Sequence, residues 1–163
     1  RFNKRLDSFG NKAQLHTSLF VELIQWLKTL AAPGETVRIV SDKHGGRHFY
    51  MPMLAEAFPE AWVQNIQERP SLSHYRLTWN EVHYEFQFKP KADAENGIVA
   101  LASMVSKLMR ERWMEQFNAW FGRRIPGLKP TAGYPVDARR FAAEITEVCQ
   151  VQNLPADLRW RRK

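Results

Sequence analysis

Two runs of alternating character, Tyr75 to Trp79 and Val82 to Phe88, flank the polar pair Asn80-Glu81. Alternation with a period of two is the mark of a strand with one buried face, and two such runs joined by two polar residues close as a hairpin. In the second run Tyr84, Phe86 and Phe88 share one face, leaving His83, Glu85 and Gln87 on the other. The chain is thereby committed to a sheet whose aromatic face must be covered by something else.

The cover is supplied by helices. From Lys12 to Ala31 the residues Leu15, Leu19, Leu23, Leu27 and Leu30, flanked by Phe20 and Ile24, recur at helical spacing until Pro33-Gly34 stops the pattern. A β-branched run, Val37-Arg38-Ile39-Val40-Ser41-Asp42, then predicts a buried strand that ends at Lys43-His44-Gly45-Gly46. Tyr50 to Phe58 reads as a short helix closed by Pro59, and Trp62 to Ile66 as a further strand. The strongest helical pattern runs from Ile98 to Phe121, with Asn96 as cap and Ile98, Leu101, Ala102, Val105, Leu108, Met109, Met114, Phe117 and Phe121 on its apolar face. A Gly/Pro-rich loop over 122–135 leads to a last helix from Ala138 to Gln150, capped by Asp137, and the chain ends on the basic tail Arg159-Trp160-Arg161-Arg162-Lys163. Strands interleaved with helices over 163 residues predict one α/β domain.

Charge narrows the partners. Lysine and arginine number 24 against 17 acidic residues, a net charge of +7, so the surface field favours polyanions. No apolar run is long enough to span a bilayer, because Phe20-Val21-Glu22-Leu23-Ile24 is already broken by a carboxylate. A single cysteine, Cys149, excludes an internal disulfide and is expected to be a buried small hydrophobe, which fits a reducing, cytoplasmic compartment. The chain opens on Arg1 with no initiator methionine or signal-peptide pattern, as expected of a fragment, a processed product or a trimmed form.

Two aspartates stand at element boundaries: Asp42 at a strand end, where α/β sheets place their chemistry, and Asp93 in the loop entering the long helix. Carboxylates drawn from different elements suit magnesium, which keeps several waters and takes one or two protein ligands plus substrate phosphates. Each is also what a turn or a helix cap looks like. Glu85, on the polar strand face, and Glu95, near Asp93, are the expected additional carboxylates. In His44-Gly45-Gly46-Arg47-His48 the glycines would let backbone approach a phosphate and Arg47 could fork onto it; a tight turn with a solvated arginine reads equally well. The five histidines show no zinc spacing, and no nucleophile elbow, P-loop or dinucleotide fingerprint is present.

The tract from Lys91 to Met114, KADAENGIVALASMVSKLMRERWM, resembles a signature of the ribonuclease HII family, in which a Lys/His-Ala-Asp-Ala segment leads into a helix bearing Ala-Ser, Ala-Lys and Arg-Asp pairs. Leu128-Lys129-Pro130-Thr131-Ala132-Gly133-Tyr134-Pro135 is similar to that family's Gly-Tyr segment, and Ile39-Val40-Ser41-Asp42 to its strand ending in a catalytic aspartate. The resemblance covers roughly Val37 to Ile145 and is strongest over 91–114 and 128–145. It implies an RNase H-like mixed sheet with helices on both faces, hydrolysing RNA in RNA–DNA hybrids or at ribonucleotide junctions with two magnesium or manganese ions. Asp42 and Asp93 would be catalytic and metal-binding, with Glu85 as a further ligand. Tyr134 would lie against the sugar, and Ser103 and Lys107 would be helix residues close to the site.

The family's opening strand, Asp-Glu-x-Gly-Arg-Gly, has no counterpart here. Asp7-Ser8 with Lys12 resembles its Asp-Ser-Lys segment, which would place that strand before Arg1 and leave the amino-terminal part of the fold incomplete. The expected function is therefore a divergent metal-dependent endoribonuclease, an enzyme, that contacts nucleic acid through Lys43, Gly45, Gly46, Arg47, Lys107 and Tyr134. Arg110, Arg123, Arg124 and Lys129 are further backbone contacts. The alternative is a non-catalytic nucleic-acid-binding or scaffolding module that retains the fold.

Overall fold

A computed structural model of the protein describes residues 2–156. In chain order its elements are α1 (Phe2–Phe9), α2 (Lys12–Lys28), β1 (Thr36–Asp42), α3 (Met51–Ala57), β2 (Gln64–Arg69), β3 (Leu72–Trp79), β4 (Val82–Lys89), α4 (Ala92–Glu95), α5 (Gly97–Gly122), α6 (Pro135–Glu144) and α7 (Thr146–Val151). They form two compact units, one of residues 13–103 and one of residues 2–12 with 104–156. The basic tail 159–163 lies outside the described residues.

The first unit is built on a four-stranded mixed sheet in the order β1-β4-β3-β2. β3 and β4 pair antiparallel with Trp79 opposite Val82, and the turn residues Asn80 and Glu81 both have positive φ, 48° and 61°. Those two left-handed residues match the twist of the flanking strands, which is why a two-residue turn closes here. β1 runs parallel to β4, with Arg38 opposite Glu85 and Asp42 opposite Lys89. The expected strand over 62–66 starts two residues later and runs on to Arg69, with a register shift between Asn65 and Gln67.

Alternation decides the two faces. Tyr84, Phe86 and Phe88 of β4 and Tyr75 and Leu77 of β3 are buried together with Val21 and Ile24 of α2 and Met53, Leu54 and Ala57 of α3. Tyr50 stacks flat on Phe88, ring centroids 3.7 Å apart. Burying each such ring is worth about 1.5–3 kcal/mol, so this layer is the unit's main source of stability. α2 differs from expectation in which stripe it buries: Leu15, Val21 and Ile24 go inside, while Leu19 and Leu23 stay exposed, as does Leu30 just past its end. The row through Phe20 and Ile24 won because it meets the aromatic layer.

In the second unit Phe121, Phe141, Ile145 and Cys149 form a small core with Phe117 and Trp120 against it. Cys149 is buried there, as its helical position predicts. The expected single last helix is two helices that share Ile145 as a boundary residue. Asp137 is not its cap: it sits inside the first turn after Pro135, and its Oδ2 accepts bonds from Thr131 Oγ1 (2.6 Å) and the Ala132 amide (2.9 Å). Those bonds and Arg140 hold the Asp137 carboxyl down at about 2. Asn96 does cap α5, its Oδ1 accepting from the amides of Ile98 and Val99. The apolar stripe of α5 is present but largely uncovered, with Ile98, Leu101, Val105, Leu108 and Met109 exposed. No helix among the described residues is long and apolar enough to cross a membrane.

Candidate functional site at the end of the parallel strands

β1 and β4 end side by side, and the chain turns from β4 through Lys91 directly into α4. Lys91 itself takes a left-handed conformation, φ 54° and ψ 40°, which swings the backbone back across the strand ends. The consequence is a bond between segments fifty residues apart: Asp42 Oδ1 accepts from the Ala92 amide at 3.3 Å and from the Lys43 amide at 3.2 Å. Asp93 follows Ala92 in the chain, so its backbone lies at the same corner as Asp42. Both are exposed to solvent. Glu95 is drawn off to Lys89, 3.6 Å from its ammonium.

The loop after Asp42 is tied down rather than open. The His44 amide donates to the Tyr50 hydroxyl at 2.9 Å, and that hydroxyl donates to Arg47 O at 3.2 Å. Gly45 supplies a left-handed turn residue at φ 62°, and Gly45 and Gly46 are exposed, with open space where a side chain would project. The Lys43 ammonium reaches Arg69 O and Ser73 Oγ, both at 2.8 Å, and His48 Nδ1 at 3.2 Å. These bonds hold Lys43 as a tie between the loop and β2–β3, which argues against the expected phosphate contact. Arg47 donates to Thr17 Oγ1 at 2.9 Å, so the turn reading of this segment gains ground over a free phosphate fork.

His44 sits edge-on among His16, Phe20, Tyr50 and Phe88. Burial, with His16 and Arg47 nearby, pushes its pKa down to about 4, so the ring is neutral at pH 7. Its Nδ1 is buried and has no hydrogen-bond partner among the described residues.

Glu85 is elsewhere. It lies on the polar face of β4 four residues from the strand end, roughly 13 Å along the strand from the level of Asp42. Its carboxylate accepts from Arg38 Nε (2.7 Å), His74 Nε2 (2.8 Å) and Arg76 Nη2 (3.2 Å). Burial alone would raise its pKa, but those three partners outweigh it and hold the group at about 2. The structure therefore does not bring Glu85 to the Asp42–Asp93 corner. Sequence reasoning found Glu85 on the polar face but missed Arg38, because parallel pairing across 47 residues leaves no local signal.

Lys107 and Tyr134 belong to the second unit. Lys107 is exposed on α5. Tyr134, 67% exposed, is the boundary residue before α6, beneath the Arg110 guanidinium at 5.8 Å, and Arg110 also donates to Ala132 O at 2.7 Å. The Gly-Tyr segment is thus held against α5 by contacts inside that unit. Arg124 lies over the Trp120 ring at 3.7 Å.

What the corner can hold follows from its donors. Asp42 has one oxygen engaged by amides and Asp93 is exposed, which suits a hydrated divalent ion completed by a substrate phosphate. Among the described residues no group of three or more His, Cys, Asp or Glu side chains is gathered to hold an ion by protein ligands alone. No family model, no curated protein and no solved structure matches the chain.

Proposed function

We propose that the protein is a divergent, RNase H-like, metal-dependent nuclease acting on RNA in hybrids or at ribonucleotide junctions. The observation that supports this reading is the bond from the Ala92 amide to Asp42, which ties the backbone entering Asp93 to the carboxyl end of a parallel strand pair. The resemblance of the tract around Asp93 to ribonuclease HII supports the same assignment. Asp42 and Asp93 would hold magnesium or manganese, and the ion would supply Lewis-acid chemistry at a phosphodiester. The chain's own part is to fix Asp42 through two amides, to expose the Gly45-Gly46 backbone beside it, and to offer a basic surface to the phosphates.

The test is cleavage of an end-labelled hybrid, and of a duplex with one embedded ribonucleotide, with magnesium or manganese. Wild-type chain should cleave, and Asp42→Asn and Asp93→Asn should each lose at least about a hundredfold in rate while their unfolding midpoints stay unchanged. Equal cleavage by wild type and both variants would remove Asp42 and Asp93 from the site.

A second reading is favoured by one observation, the lack among the described residues of a third ligating side chain at the corner. On it the domain binds nucleic acid without cutting. Binding to hybrid or duplex whose log affinity falls linearly with log salt, persisting in Asp42→Asn, with no cleavage under any divalent ion, would establish it.

A further inference from the structure

The polar face of the sheet has a feature that neither the metal corner nor the core explains. A cavity of about 640 Å³ opens there, bounded by Arg38, Arg76, His83, Gln64 and Trp62, with Glu85 the one carboxylate on its wall. Trp62, just ahead of β2, is 87% exposed. A tryptophan left in water beside a groove forgoes the burial that its ring would gain by any stacked partner. Arg38 and Arg76 are 65% and 58% exposed, yet each is held by Glu85: Arg38 through Nε, Arg76 through one terminal nitrogen. Fixing a guanidinium in this way removes much of the side-chain entropy that a phosphate contact would otherwise cost and leaves its remaining donors for the ligand.

A grooved sheet face, an exposed indole and two oriented guanidiniums, with hydrogen-bonding side chains between, make the combination that recognises a single-stranded nucleic acid: bases stack on the aromatic ring while the backbone follows the cations. We infer that this face is a single-strand binding platform, separate from the Asp42–Asp93 corner by roughly 13 Å of strand. Two arginines against one carboxylate give it the sign a polyanion requires. In this arrangement Glu85 is a positioning residue: it spreads Arg38 and Arg76 across β1, β4 and β3 instead of ligating an ion. The inference takes from the proposed function only the class of partner, and needs no hydrolysis.

The experiment is fluorescence anisotropy of a short fluorescein-labelled oligodeoxythymidylate with the full chain, at low salt and in EDTA, so that metal and cleavage play no part. Wild type should bind. Trp62→Ala should weaken binding about tenfold, the loss of one stacked base, and Trp62→Phe should recover most of it. Since Trp62 is almost wholly exposed, neither change threatens the fold. Arg38→Ala and Arg76→Ala should each weaken binding several-fold and lower the salt slope by about one. Asp42→Asn should bind as wild type, so a failed nuclease assignment leaves this result standing. Failure of wild type to bind, or Trp62→Ala binding as tightly as wild type, would overturn the platform and leave a protein surface as the occupant of this face.

Discussion

Two carboxylates on one polar sheet face, Glu85 and Asp42, are in opposite circumstances. Glu85 is buried in mid-strand and met by two arginines and a histidine; Asp42 is at the strand end, exposed, and met by two backbone amides. Cations that surround a carboxylate neutralise it and consume its lone pairs, so it becomes a structural hub. Amides orient a carboxylate without cancelling its charge, so it keeps the field that attracts a metal ion. Position along the strand, more than residue type, separates scaffold from candidate site.

The sharpest way to break this comparison is to neutralise each in turn. Asp42→Asn should abolish detectable magnesium or manganese binding in calorimetry, whereas Glu85→Gln should leave it unchanged. Weakened metal binding in Glu85→Gln would return Glu85 to the ion site.

Stability should respond in the reverse order. Glu85→Gln leaves Arg38, His74 and Arg76 facing one another without their counter-charge, and should cost about 2 kcal/mol in urea unfolding, the exposed arginine ends limiting the loss. Asp42→Asn should leave the unfolding midpoint unchanged. Because folding holds Glu85 at about 2 against an ordinary 4.5, its contribution is present above pH 4.5 and fades as pH falls towards 2. The Gln variant should lack that acid-side slope.

What could be read from the chain tracks the range of the interactions responsible. The hairpin around Asn80-Glu81, the strand ending at Asp42 and the Asn96 cap are local patterns and are found where they were expected. Asp42 and Asp93 are proposed from their places at element ends, but that the backbone entering Asp93 reaches Asp42 depends on the β1–β4 pairing and the left-handed Lys91. The partners of Lys43 and the place of Asp137 inside its helix could not be read from the chain for one reason: their groups are engaged by backbone and hydroxyl partners brought up by a fold that composition does not encode. Trp62, Arg38 and Arg76 were invisible as a group because three separate segments supply them.

A smaller effect distinguishes the His44 loop from the carboxylate corner beside it. With a folded pKa of about 4 against 6.5 for the free side chain, His44 is kept neutral by the fold. Unfolding therefore takes up a proton between those values, so its contribution is complete above pH 6.5 and lost as pH falls towards 4. Between pH 7 and pH 5 wild type should lose about 1 kcal/mol that His44→Phe, which cannot titrate, retains, since solvent near the loop screens part of the full linkage. Parallel pH curves for the two proteins would show that His44 does not carry the term.

An effect of similar size and opposite sign lies within the aromatic layer itself. Tyr84 is buried between Phe58 and Phe86 on the aromatic face, and its hydroxyl has no hydrogen-bond partner among the described residues. Burial raises its pKa, so the group stays a neutral phenol through the physiological range. A hydroxyl taken from water and left unpaired costs more than the ring gains from keeping it, whereas phenylalanine fills nearly the same volume. Tyr84→Phe should therefore stabilise the protein, by about 1 kcal/mol in urea unfolding, with metal and nucleic-acid binding unchanged. A loss of stability instead would mean that the hydroxyl finds a partner in solution, and that this part of the core is more polar than its aromatic neighbours indicate.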